Sequence, residues 1–208
     1  MAYPTVDAPY GFRPINLIGG QVFAGSTRLI PIASGTTTSI FYGDVVRLNA
    51  TGTLSRVTTT SAATDTVGIF LGCNYTNPTT KQPTYAQYYA ATIVASDIEA
   101  VVADDPDTLF KVAVVSGAGA TGSSISGLTR AAVGQNVAIT QPATGGSSTS
   151  GNSYQGAFVT TSSATAPLRI VDVVPETVNA SGSYTEVIVK FNFGYHTYYN
   201  ATGTTTSA

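Results

Sequence analysis

The sequence predicts an all-β protein: an antiparallel β-barrel or β-sandwich with an extended N-terminal arm and Gly/Ser-rich loops. Three observations carry this. Over residues 184–193, Val187, Val189, Phe191 and Phe193 alternate with Glu186, Lys190 and Asn192, and Ile188 is the one apolar intruder. Period two of this quality marks a strand with one buried face and one wet face. Elsewhere, about ten short strand-like segments are separated by Gly- and Pro-rich turns, with almost no helical period. The chain also carries 12 Tyr and 8 Phe beside abundant Thr, Val and Ile, the residues that sit well on a pleated surface. Burying the four apolar side chains of 184–193 contributes roughly 6–12 kcal/mol before chain entropy is subtracted, at about 1.5–3 kcal/mol each. A strand cannot hide that face alone, so the other segments must cover it.

In chain order, residues 1–25 contain Pro4, Pro9 and Pro14 with aromatics between them. Proline removes donors and disfavours helix in the residue before it, so this is an extended arm. With Tyr3, Tyr10, Phe12, Ile15, Leu17 and Ile18 it is too apolar to hang in water. It either packs on its own domain or lies on a partner. Strands are predicted over 26–32, 43–48 and 53–58, the last two joined as a hairpin with Gly52 supplying a positive φ. The run 67–75 is mostly apolar, and its interior Gly68 and Gly72 signal a bulge, a barrel corner or close backbone approach. Residues 77–83 form a loop with two prolines, and 85–94 read as strand in preference to a short helix. Strands follow at 98–102 and 109–115, separated by Asp104-Asp105-Pro106-Asp107. Residues 116–127 and 144–153 are loops rich in Gly and Ser, with a helical turn or two at 126–133 and a strand at 137–140 between them. Strands at 156–160 and 168–174 complete the set, the latter pairing antiparallel with 184–193 through a turn at 179–183. Gly19-Gly20 and Gly145-Gly146 read as hinges.

This gives an arm at 1–25, a β domain at 26–199 and a polar tail at 200–208. The β domain divides into sub-regions 26–115 and 156–199 joined by a loop-rich 116–155. The 208 residues suffice for one good-sized β domain or two small ones.

Charge is scarce: 10% of residues, with a formal net charge of −2, against about 25% in ordinary soluble domains. Nothing here forms an electrostatic footprint for nucleic acid, and no apolar stretch approaches the ~18 residues of a membrane helix. The N-terminus lacks the basic start and apolar core of a secretory signal. Such a surface fits either a marine or high-salt source or a protein that ends up against other protein.

Chemistry-bearing motifs are sparse. His196 is the single histidine and Cys73 the single cysteine, and no nucleophile elbow or phosphate loop accompanies them. Cys73 reads as a small buried hydrophobe. A structural metal needs several Cys or His ligands at close spacing. The Asp104–Asp107 cluster lacks the calcium-loop spacing and is better explained as a turn around Pro106. No catalytic residue, metal or cofactor is expected. Tyr85, Tyr88, Tyr89, Tyr195, Tyr198 and Tyr199 read either as a sugar platform or as interface anchors. With no Trp in the chain, the interface reading is preferred.

The stretches DAPYGFRPINLIGG, LIPIASGTTTSIFYGDVVRL, VGIFLGCNY, ASDIEAVVADDPDTLFKVAV, LRIVDVV and EVIVKFNFGYHTY follow one another across nearly the whole chain. That succession resembles the small head decoration, or cement, proteins encoded beside the major capsid gene of many tailed bacteriophages. The resemblance implies a protein without catalytic activity, made in the host cytoplasm and carried on the outer surface of the capsid in the virion. Its partners would be the major capsid protein and copies of itself, as trimers or clustered monomers, stapling capsid subunits against internal DNA pressure. Aromatic placement nominates Tyr10, Phe12 and Arg13 in the arm, with Tyr195 and Tyr198 near the other end, as the capsid-contacting residues. Two rival classes are a fibre or host-attachment module that binds glycans, and a self-assembling shell or tail-tube subunit.

Overall fold

A computed structural model describes residues 8–58, 66–116, 128–140, 142, 144–159, 166–178 and 184–192. The fold is all-β. Its strands are β1 (Arg13–Leu17), β2 (Arg28–Pro31), β3 (Val45–Leu48), β4 (Leu54–Arg56), β5 (Thr66–Thr76), β6 (Pro83–Ala86), β7 (Glu99–Ala103), β8 (Thr108–Val115), β9 (Asn136–Ile139), β10 (Ala157–Phe158), β11 (Leu168–Val173) and β12 (Glu186–Phe191). Single 3-10 turns at Arg130–Ala132 and Pro175–Thr177 are the only helical pieces among the described residues.

Five strands, β8-β10-β9-β11-β12, close into a barrel through the β8–β12 pairing, and β1 adds to β8. The expected antiparallel pairing of β11 with β12 is present, with Leu168 opposite Phe191 and Val173 opposite Val187. Val187, Val189 and Phe191 point into the barrel with Phe110, Val112, Val137, Leu168 and Ile170. Closing the sheet removes the unpaired edges that an open sheet must protect.

The second sheet runs β2-β7-β5-β3-β4, with β6 paired to the far end of β5. A parallel bridge between Ile32 and Leu54 ties its two end strands together, so this sheet also curls. Inside the curl lie Ile30, Val46, Leu54, Phe70, Val102 and the loop residues Ile40, Tyr89 and Ile98. From its other face Val45, Ile69 and Ala103 join the barrel core. A sheet covered on both faces explains why β5 is a near-continuous apolar run and not an alternating one.

Both interior glycines of β5 have the reason the sequence suggested. A Cβ on Gly68 would overlap the Ala103 carbonyl oxygen, so the β5–β7 approach requires glycine. The β5–β7 register slips between Phe70 and Gly72, where Gly72 sits at φ 136° and makes a bulge. Gly52, at φ 75°, closes the β3–β4 hairpin by donating its N–H to Asn49 O at 2.9 Å.

Of the two alternatives left for the arm, Arg13–Leu17 takes the first and packs on its own domain, as a strand of the barrel sheet in register with Thr108–Lys111 of β8. Several expectations are corrected. The division at 115 and 156 falls elsewhere: β8 and β9, read as the end of one sub-region and part of a link, are both barrel strands. Of the 85–94 region only Tyr85 and Ala86 are in a strand, the end of Pro83–Ala86, although Tyr89 forms a bridge with Ile40. Gly19-Gly20 is a tight turn, with Gly20 N–H donating to Leu17 O at 2.9 Å. Gly145 and Gly146 are no hinge either, since side chains on them would overlap Arg56 and Phe41.

The Gly/Ser-rich 144–153 segment is folded down by a buried polar network. Asp44 is wholly buried. Its carboxylate accepts the Phe41 N–H at 2.7 Å and the Ser153 hydroxyl at 2.6 Å. Ser153 Oγ in turn accepts the Gln155 N–H at 2.9 Å, and Gln155 Oε1 accepts the Val45 N–H at 2.7 Å. Burial pushes the Asp44 carboxyl up to about 7, against the lowering effect of those hydrogen bonds and of the Arg56 charge. Groups buried this deeply must be satisfied internally, and the short polar side chains of this segment do so.

Candidate binding surfaces

Of the five residues nominated for capsid contact, Phe12 is 0% exposed. It cannot touch a partner in this fold. Its ring lies 6.4 Å from that of Phe191, which meets Phe110 edge-on at 5.6 Å, and its N–H donates to Gly43 O at 2.9 Å. Tyr10 and Arg13 are half-buried and engaged within the chain. The Tyr10 hydroxyl donates a short hydrogen bond to Glu186, and Lys111 sits 3.2 Å from the same carboxylate. Burial and the Glu186 acceptor together raise the Tyr10 hydroxyl pKa far above its ordinary value. Arg13 lies 4.1 Å over the Tyr42 ring and donates to Asn152 Oδ1 at 2.7 Å. Glu186, expected on the wet face of β12, is buried because Tyr10 and its segment cover it. Tyr195 and Tyr198, like His196 and Tyr199, lie outside the described residues.

What the arm does expose comes later in the chain. Residues 18–22 and 24–29 are exposed throughout, with Phe23 half-buried between them. Ile18, Val22 and Leu29 are three of the large apolar side chains left in water. Ile18 shares the apolarity of Phe12, but the packed part of the arm runs through β1 only as far as Leu17.

The other large apolar side chains in water are Tyr85, 85% exposed, and Val94, 67% exposed. Val94 lines a cleft at the far end of β5, and Tyr85 lines a smaller hollow beside it. Beyond Thr76 the chain turns around Asn77, whose Oδ1 accepts the N–H groups of Thr79 at 2.8 Å and Thr80 at 3.1 Å. Its carbonyl accepts the Lys81 N–H at 2.9 Å, and its own N–H donates to Gln82 O at 2.9 Å. Lys81 closes this turn at φ 59°, a left-handed conformation that costs a non-glycine residue about 1–2 kcal/mol. Facing it, the Asp97 carboxylate accepts the Thr76 N–H at 3.0 and 3.1 Å. Hydrogen bonding from Thr76, its side chain first and its backbone N–H second, holds the Asp97 carboxyl below its ordinary range.

The resulting cleft has a volume of about 410 Å³ and is lined by Thr76, Asn77, Pro78, Lys81, Val94 and Asp97, among others. A smaller hollow of about 90 Å³, lined by Asn74, Tyr75, Thr84 and Tyr85, shares Thr76 and Asp97 with it. Thr92, two residues before Val94, is the second non-glycine residue with positive φ among the described residues, at 70°. The predicted tyrosine group thus splits: Tyr85 faces water, Tyr88 stacks on Phe41 at 5.3 Å, and Tyr89 is wholly buried.

Asp104 pairs with Arg28 at 2.7 Å, and Asp105 Oδ1 accepts the Asp107 N–H at 2.9 Å. The turn reading of that cluster stands, and no group of metal-ligating side chains occurs among the described residues. Cys73 is buried, and burial pushes its thiol up to about 11. No helix among the described residues is long and apolar enough to cross a membrane. Comparison of the chain with protein-family models, with curated proteins and with solved structures finds no match.

Proposed function

We propose that this protein is a bacteriophage head decoration protein, a non-catalytic clasp on the outer capsid surface that stabilises contacts between major capsid protein subunits. The observation that carries the reading is how the charge is used. Among the described residues every Lys and Arg but Lys81 is engaged, among them Arg28 with Asp104, Arg130 with Asp172 and Lys190 with Asp107. What remains outside is polar, poor in charge and locally apolar, with most of its few charges paired, an exterior suited to being covered by neighbours. Residues 18–29, with Ile18, Val22 and Leu29, take over from Tyr10, Phe12 and Arg13 as the proposed contact with the capsid protein. Copies of the chain clustered on a symmetric lattice sum modest contacts into reinforcement.

The test is co-sedimentation with phage heads. Binding by the unmodified chain should persist to ~1 M salt, because screening weakens charge pairs far more than apolar contact. The triple replacement Ile18→Ser, Val22→Ser, Leu29→Ser should abolish occupancy. These side chains are exposed, so each replacement should change stability by no more than about 0.5 kcal/mol. Release by salt, or full occupancy by the triple variant, contradicts the reading.

A further inference from the structure

We propose that the cleft between the 76–81 turn and residues 94–97 binds a carboxylate-bearing saccharide, of the uronic acid class. The proposal goes beyond the capsid reading and uses none of residues 18–29. Four features converge on the cleft. Lys81 is the one basic side chain without a hydrogen bond, ion pair, ring contact or electrostatic partner among the described residues. Every other basic side chain has a partner within the chain, a carboxylate for Arg28, Lys111, Arg130 and Lys190, so among the described residues the Lys81 cation is the one left to meet an anion from outside. Lys81 also sits in a left-handed conformation that glycine would adopt without strain, so its side chain has a use that outweighs local stability.

The second feature is Asp97, which shares the cleft. Its carboxylate is ionised at neutral pH and is held by Thr76 through both side chain and backbone N–H, and the lone pairs that remain accept only from donors such as hydroxyls. Third, Asn74 in the adjoining hollow carries a buried side-chain oxygen with no hydrogen-bond donor, so this hollow too is short of donors. Fourth, Tyr85 in the adjoining hollow offers an exposed aromatic face, and Pro78 and Val94 in the cleft offer small apolar ones, against which the C–H faces of a sugar ring can lie. A ligand that presents hydroxyl donors, apolar ring faces and one anionic group meets all four demands. The cleft volume of about 410 Å³ falls within the range of roughly 300–1,000 Å³ usual for small-molecule sites.

An acidic peptide added along β6 meets them less well. The Thr76 N–H is used by Asp97, so the Thr76–Pro83 pair is a non-hydrogen-bonded one. By the antiparallel alternation, Tyr85 alone then turns both an N–H and a C=O outward, and Pro83 has no N–H to give. That edge is too short to hold a strand.

The experiment is an NMR titration of the full chain with digalacturonate, with neutral lactose and with a poly-glutamate peptide. Expected are saturable shifts confined to residues 74–97, with digalacturonate binding at least roughly tenfold tighter than lactose. Lys81→Gly should weaken digalacturonate binding by roughly tenfold or more while holding or raising the thermal midpoint, because glycine relieves the left-handed strain. Tyr85→Ala, at a fully solvated position, should weaken it comparably with no change in midpoint. The proposal is overturned if digalacturonate gives no shifts at about 20 mM, if Lys81→Gly binds it unchanged, or if poly-glutamate binds as tightly as digalacturonate.

Discussion

Replacing Phe12 by Ala separates an arm built into the barrel from one that reaches for a partner. Phe12 has no exposed surface and its ring stacks on Phe191 in the main core. Truncating such a ring removes its transfer free energy and leaves a cavity that close-packed neighbours fill only in part, a combined loss of about 3–5 kcal/mol. The aromatic contact with Phe191 accounts for about 0.5–1.5 kcal/mol of this. Against a typical total of about 5–15 kcal/mol, such a loss brings the fold close to its limit. For a chain of this size it should lower the thermal midpoint by roughly 6–20 °C. Urea unfolding should show a lower midpoint at unchanged slope, and Phe12→Leu should lose no more than about 1.5 kcal/mol. A loss below about 1 kcal/mol for Phe12→Ala would place the ring on the surface and refute the packing described. The same geometry means that deleting residues 2–14 removes a core side chain together with the arm. Reduced capsid binding after that deletion therefore measures unfolding as much as contact.

Two further outcomes test the framework. Gly68→Ala drives a methyl group into the Ala103 carbonyl and should destabilise by about 2–3 kcal/mol or more in the same urea assay; a neutral result would mean that β5 and β7 lie further apart. Asp44 is raised in the folded state to about 7 from 3.8, so the folded chain holds this proton more tightly than the unfolded chain does. Its contribution to stability is therefore full below the unfolded value and fades as pH rises through the folded one. Stability of the parent chain should decline between about pH 4 and 7, and Asp44→Asn should flatten that part of the profile; an unchanged slope in the variant would assign the titration elsewhere.

Local pattern was enough wherever one face of a strand met one core. Val187, Val189 and Phe191 announce β12 by alternation, and Gly52 announces its hairpin. Gly68 and Gly72 announce a close approach and a bulge because glycine inside an apolar strand has few other uses. Pattern was not enough where the partner lies far off in sequence. Glu186 looks like a wet-face residue until Tyr10, distant in the chain, is seen to cover it. The Gly/Ser-rich 144–153 segment looks mobile until the buried Asp44 carboxylate is seen to hold Ser153. Apolarity marks Phe12 and Ile18 alike as residues in need of cover. Only the register of β1 against β8 shows that Phe12 is covered within the chain and Ile18 is not. The cleft left a fainter trace. Asn77-Pro78 signals a turn, but nothing in composition says that the lysine closing it stands without a counter-charge.

The central claim is that this chain is a β-built clasp whose charge-poor exterior is covered by capsid. A density map of the phage head that carries it, at side-chain detail, tests that claim most directly. The account predicts the chain on the outer shell, with Ile18, Val22 and Leu29 seated against capsid protein and Phe12 enclosed in its own barrel. Finding it on a fibre or tail tube, or on the shell with residues 18–29 turned to solvent, would contradict it.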